Sequence, residues 1–177
     1  MTSYPDAAVV AAPVSRPGTL LAAVGAAVVS AVAAIVEGVL FFAGGRDLAT
    51  DLAAQAIAVI TGDTAESVKA DGGALLAASV DEVQNTLQAR AIVAVVFGVL
   101  LLIVALLMVG GSTWSRVLVT IAGLLNAGVS LRIATDVDGG TGAILGSAWL
   151  AVATGVLVVV LAWLPANNRY AKARKAR

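Results

Sequence analysis

Glu37 is the residue whose position most invites chemistry. It is a carboxylate inside a long apolar run, roughly 9 Å by helical rise before that run ends at Gly44-Gly45. A charge at the centre of a membrane helix costs about 2.5–3.5 kcal/mol on insertion scales, so an acid kept there is a functional candidate by default. The chemistry open to it is the holding of a proton or a cation. Ser30, Ala33, Ala34 and Glu37 share one small-residue helical face, which points the acid at other helices and away from lipid. Arg132, near the end of a later apolar run, is the reachable base, and a structural Glu37–Arg132 ion pair is the expected arrangement. Asn126 lies mid-run, with Ser130 one turn on and Ala122 and Gly123 one turn back. It reads as interhelical glue, worth about 0.6 kcal/mol, or as a polar point on a translocation path.

Gly142-x-x-x-Gly146, continued by Ser147, Ala151 and Thr154, is a small face suited to close helix packing, within the bundle or against a partner. Other constellations are weaker. Asp136-Val137-Asp138-Gly139 resembles the start of a calcium loop but lacks the further ligands and the terminal Glu, so it reads as an Asx/Gly turn. The chain has no Cys and no His. Thiolate chemistry, Cys/His zinc sites and histidine general bases are therefore excluded. No catalytic set, metal-ligand set or cofactor loop is recognisable, and the expectation is a non-enzyme without cofactors.

These residues must be positioned by helices in lipid. Of 177 residues, 60% are hydrophobic and 12% charged; mean hydropathy is +0.98. Soluble domains carry about 25% charged residues. Four runs are long enough to cross a bilayer, at about residues 20–43, 91–109, 117–134 and 143–164. Two-residue alternation is missing, so a β-barrel is disfavoured and helices are the spanning elements. A cleaved signal peptide, with Arg16 as its basic region and Ala31-Val32-Ala33 as its cleavage site, fits less well than an anchor, because the apolar run continues through Ile35 to Phe42.

The punctuation fits four helices. Thr19 is a candidate cap for the first, Gly44-Gly45 for its end, and Gly110-Gly111 for the end of the second. Ser112 or Thr113 can cap the third, Asp138 to Thr141 forms a turn, and Pro165 follows the fourth. Trp114 and Trp163 suit the interfacial belt. Residues 46–90 form a small helical cap. Leu48, Leu52, Ala56 and Val59 recur at helical spacing, Asp63 with Glu66 reads as a capping box, and Gly72-Gly73 is a break. Leu76, Val80, Val83 and Leu87 then mark a stripe on a helix that continues from about Ala74 into the second span. The stripes pack on each other or lie on the lipid surface.

An even number of spans puts Arg16, Arg116, Arg169, Lys172, Arg174, Lys175 and Arg177 on one side. The positive-inside rule makes that side cytoplasmic, for residues 1–18 and for the basic tail 165–177 alike, and the cap extracytoplasmic. The tail follows a span directly, so it reads as attracted to anionic lipid; no nucleic-acid binding is expected.

The segment Trp163-Leu164-Pro165-Ala166-Asn167-Asn168-Arg169-Tyr170 resembles the terminus of small four-helix membrane proteins common in high-GC actinobacteria. Those often close with a Trp-x-Pro-x-x-x-x-Tyr-like sequence and a basic tail. The resemblance covers the last span and tail, and it implies a location and a shape, not an activity. The reading is an all-α, multi-pass plasma-membrane protein with four transmembrane helices and an extracytoplasmic helical cap. Its expected role is a non-catalytic accessory or interaction subunit, surrounded by lipid and bound to other membrane proteins or to copies of itself. The alternative is a small oligomeric transporter or channel using Glu37, Arg132 and Asn126.

Overall fold

The computed structural model describes residues 15–135 and 140–175. They form six helices: α1 (Gly18–Thr61), α2 (Ala65–Asp71), α3 (Ala74–Met108), α4 (Thr113–Ala134), α5 (Gly142–Ala162) and α6 (Pro165–Lys175). The N-terminal fourteen residues and the Asp136–Gly139 part of the proposed turn lie outside the described residues, as does Arg177 of the tail. Helices α1, α3, α4 and α5 are each long and apolar enough to cross a membrane. α1 packs along α3 and α5, and α4 packs against α5 and α3.

The helix contacts are rich in small residues, and many large residues face outward. Ala23, Ala27, Ala31, Ala34, Ala91, Ala94, Ala105, Ala148 and Ala151 are buried, while Val29, Val36, Ile92, Val96, Ile103, Leu106, Leu124 and Leu157 face outward. Water would punish that arrangement. Lipid does not, and small inward residues let backbones approach. Gly38 and Gly98 mark the closest approach between α1 and α3. A Cβ on Gly38 would stand 2.8 Å from the Ala91 carbonyl oxygen, and one on Gly98 would stand 3.0 Å from that of Ala31. On α5 the close contact falls at Gly155, against Ala127 and the Gly123 carbonyl. Gly142 and Gly146 have open space where a Cβ would go, so they do not pack the bundle. The buried stripe of α5 runs instead through Ile144, Ala148, Ala151, Gly155, Val158 and Ala162.

Several boundaries differ from the sequence expectation. Gly44-Gly45 does not end α1. Gly45 takes φ 47°, ψ −135°, a conformation that L side chains avoid, and the helix resumes at once to Thr61. The pair is a kink. Thr19 does not cap α1; its hydroxyl donates to Asn167 Oδ1 at 2.7 Å. α2 is capped by Thr64, which accepts from the Ser67 amide, and not by an Asp63–Glu66 box. Ser112 caps α4 as expected, and α3 runs unbroken from Ala74 into its apolar half. The tail, expected only as a basic segment, is helical from Pro165.

Beyond the apolar runs, α1 after the kink, α2 and the start of α3 form a helical extension. Its stripes pack on each other. Leu48, Ala49, Ala53 and Ala54 meet Leu76, Val80 and Leu87 in one core that continues through Phe41, Ala91 and Ile133. Ala56 and Val59, expected on that stripe, face outward instead. The Arg46–Asp81 pair at 3.1 Å and the Lys69–Asp51 pair at 2.6 Å tie the surface of the three pieces. The two ends of the bundle are called here the extension end and the tail end, where α6 folds back.

Candidate functional site

A row of buried polar side chains crosses the middle of the bundle between two apolar cores. On the tail side it is sealed by Leu20, Leu101, Met108, Val119 and Val158. On the extension side it is sealed by Phe41, Leu87, Ile133 and Ile144. α1 contributes Ser30 and Glu37, spaced i to i+7 on one face; α4 contributes Asn126 and Ser130, spaced i to i+4. The four side chains are at most 1% exposed. A helical side chain leans back toward its own N-terminus, so Glu37 reaches from its Cα toward the level of Ser30.

The hydrogen bonds run in one direction. Asn126 Nδ2 donates to Ser30 Oγ at 3.1 Å, and Ser30 Oγ donates to the Ala151 carbonyl on α5 at 2.9 Å. Because the Ser30 proton is committed to Ala151, the bond from α4 must come from the amide nitrogen of Asn126. That leaves Asn126 Oδ1 as a bare acceptor. Among the described residues it has no partner, and neither has Glu37 Oε1, Glu37 Oε2 or Ser130 Oγ. Ser130 lies beside the Glu37 carboxylate without closing a bond to it. Among these four atoms the one hydrogen is that of the Ser130 hydroxyl, against three pure acceptors when Glu37 is ionised. The row is short of hydrogens, and a buried polar group left unmet costs roughly 1–3 kcal/mol.

The structure brings Glu37 and Asn126 into this row but not Arg132. Arg132 is exposed, on the surface between α3 and α4, so the expected Glu37–Arg132 pair is not formed. The reason is helical phase. Asn126, Ser130 and Ile133 share the inward face, and a residue two positions after Ser130 points to the opposite side.

A second polar cluster, at the tail end, escaped the sequence reading. Arg116 is 3% exposed. Its Nη1 donates to the Ala162 carbonyl at 3.3 Å and to Asn168 Oδ1 at 2.8 Å, and its guanidinium lies 5.4 Å from the centroid of the Trp163 ring. Trp163 Nε1 donates to Thr120 Oγ1 at 2.9 Å. Asn167 accepts from Thr19 and donates to the Leu161 carbonyl at 2.8 Å. Tyr170 closes over Gly111, where a Cβ would stand 2.5 Å from its ring and where φ is +70°. The residues 163–170 that carried the resemblance are thus the clasp joining α6 to the bundle. Their signal was two adjacent Asn in a basic tail, more amide than a solvated segment needs.

No family model matches the chain, and neither the curated proteins nor the solved structures contain a match.

Proposed function

We propose that this four-span membrane protein holds an exchangeable proton or small cation at Glu37 and serves as a small, oligomeric ion-translocating protein of the plasma membrane. One observation carries the reading: three acceptors and one hydroxyl are buried unpaired along one row with too few hydrogens. A proton on Glu37 supplies the missing donor. A monovalent cation held between the Glu37 carboxylate and the neighbouring Ser130 hydroxyl would meet the same need. The apolar cores on both sides make the site an occluded one, so exchange requires one core to part. Asn126 orients the site; Arg132 takes no part in it. No cofactor is needed, and no catalytic role is proposed. Both termini are assigned to the cytoplasm and the extension to the opposite side, on the charge asymmetry of the loops.

The test is flux. Full-length protein is reconstituted in liposomes under an imposed potential, with a pH dye inside. The expected result is proton entry that Glu37→Gln abolishes, or sodium uptake lost in the same variant. Equal traces for wild type and variant at high protein density overturn the reading. Carbodiimide labelling adds a direct readout, because dicyclohexylcarbodiimide modifies protonated carboxyl groups in apolar surroundings. Label at Glu37 that sodium suppresses identifies the cation form, and label indifferent to sodium identifies the proton form.

A second reading, a non-catalytic accessory subunit, is favoured by the far end of the extension. Val59 is 84%, Ile60 85% and Leu75 65% exposed there, an apolar tip that no neighbour among the described residues covers. Under this reading Glu37→Gln changes assembly and not flux. Native mass spectrometry of protein extracted in mild detergent would recover a partner at fixed stoichiometry. Recovery of the chain alone or as a homo-oligomer counts against it.

A further inference from the structure

A groove of about 680 Å³ lies on the outer surface between α3 and α4, at the extension end of the apolar run. That volume is in the range of small-molecule sites, about 300–1,000 Å³. Its rim and its floor differ in chemistry. Arg90 and Thr86 on α3 and Arg132 on α4 stand at the rim; Val93, Leu124, Leu125 and Gly128 line the part that descends along the apolar run. From Arg132 back to Leu124 is about 12 Å by helical rise. Gly128 has open space where a Cβ would go, so the floor is left open where the sequence puts no side chain.

The groove faces lipid, because Leu124 and Leu125 are half exposed on a helix long and apolar enough to span a membrane. Its occupant must therefore be apolar below and anionic at the rim. The acids of the extension make this pair of guanidiniums stand out. Asp47, Asp51, Asp63, Glu66, Asp71, Asp81 and Glu82 all lie on α1, α2, the α1–α2 turn or the start of α3. Arg46 and Lys69 are paired with Asp81 and Asp51; Arg90 and Arg132 border the groove. Each already holds a contact within the protein, which steadies it. A guanidinium has five N–H donors in a fork that matches phosphate, so a phosphate can be added to an interaction already held.

We propose that this groove binds an anionic phospholipid, with its phosphate between Arg90 and Arg132 and an acyl chain along Val93, Leu124, Leu125 and Gly128. The site is separate from the buried row, and the proposal stands whether or not Glu37 carries an ion. It also gives Arg132 a role that the sequence had assigned to pairing with Glu37.

The test uses full-length protein in mild detergent, delipidated and then titrated with defined lipids, with thermal unfolding and native mass spectrometry as readouts. Phosphatidylglycerol is expected to raise the unfolding temperature and to be retained as a one-to-one adduct. Phosphatidylcholine of the same chain length, and glycerol 3-phosphate without chains, are expected to do neither. Arg90→Gln with Arg132→Gln is expected to weaken retention roughly 25-fold, at about 1 kcal/mol per basic residue. Gly128→Leu, whose side chain enters open space, is expected to abolish retention by filling the floor while leaving the fold intact; it carries the test where the double variant does not fold. Equal effects of phosphatidylcholine and phosphatidylglycerol overturn the proposal, as do equal effects of glycerol phosphate. Retention that survives Gly128→Leu overturns it too.

Discussion

Two polar networks tie the helices of this bundle, one partly exposed at the tail end and one buried in the middle, and they are balanced differently. At the tail end Thr19, Arg116, Thr120, Trp163, Asn167 and Asn168 meet donor to acceptor across α1, α4, α5 and α6, with Arg116 Nε the buried nitrogen left over. In the middle, four oxygens of Glu37, Asn126 and Ser130 have no partner, and a single chain of two bonds links α4, α1 and α5. The matched network holds helices together. The unmatched one keeps acceptors ready for something that brings hydrogen or positive charge. Stability and ion handling should therefore separate under mutation.

The largest expected loss of stability is at the clasp. Arg116→Ala removes two bonds to a charged donor and the contact with Trp163, a cost of about 3 kcal/mol in denaturant unfolding of the detergent-solubilised protein. An unchanged midpoint would erase the contrast. Asn167→Ala should cost about 2 kcal/mol, because the Leu161 carbonyl and the Thr19 hydroxyl both lose their partner. In the middle of the bundle the sign reverses. Glu37→Leu should raise stability by about 1 kcal/mol, since an unmet polar group is replaced by apolar volume; a loss of that size would mean the carboxylate is a structural member after all. Ser30→Ala should cost about 1 kcal/mol, since it removes two interhelical hydrogen bonds, each worth about 0.6 kcal/mol on average in a membrane protein.

The smallest effect belongs to the solvent-exposed surface. The hydrogen bond from Lys69 to Asp51 raises the lysine above its ordinary value of 10.5. A raised base stabilises fully below its unfolded value and loses that contribution as pH climbs through the raised one. Asp51→Asn should therefore be nearly silent in unfolding at neutral pH, and any difference from wild type should vanish in strong alkali. A larger change at neutral pH would give the extension an electrostatic weight that exposed pairs rarely have.

Much of the fold was legible because lipid simplifies the reading. Long apolar runs, the Gly72-Gly73 break and the Ser112 cap each have one physical meaning, and α3 from Ala74 follows from the absence of a breaker. The inward face of α1 was legible from Ser30, Ala33, Ala34 and Glu37. Where a residue type permits two outcomes, the sequence misled. A Gly-Gly pair can end a helix or kink it, and only the packing of Leu48 and Ala53 onto α3 decides for the kink. Of its two options, packing in the bundle or against a partner, the Gly142–Gly146 face does not take the first, and the contact glycines within the bundle are Gly38, Gly98 and Gly155, isolated positions opposite a neighbouring backbone. The Arg132 error was avoidable, since counting turns from Asn126 puts Arg132 on the far side of its helix. The clasp was not, because it depends on α6 folding back onto α4.

The unbroken course of α3 fixes a height. Its seventeen residues from Ala74 to Arg90 rise about 25 Å along the helix axis. The Debye length at physiological salt is about 8 Å. On the proposed topology, with that axis along the membrane normal, the far end of the extension would stand some three screening lengths above the charge of the lipid headgroups. The potential met by an approaching molecule there is set by the protein's own Asp63, Glu66, Lys69 and Asp71, and the composition of the membrane below does not register at that distance.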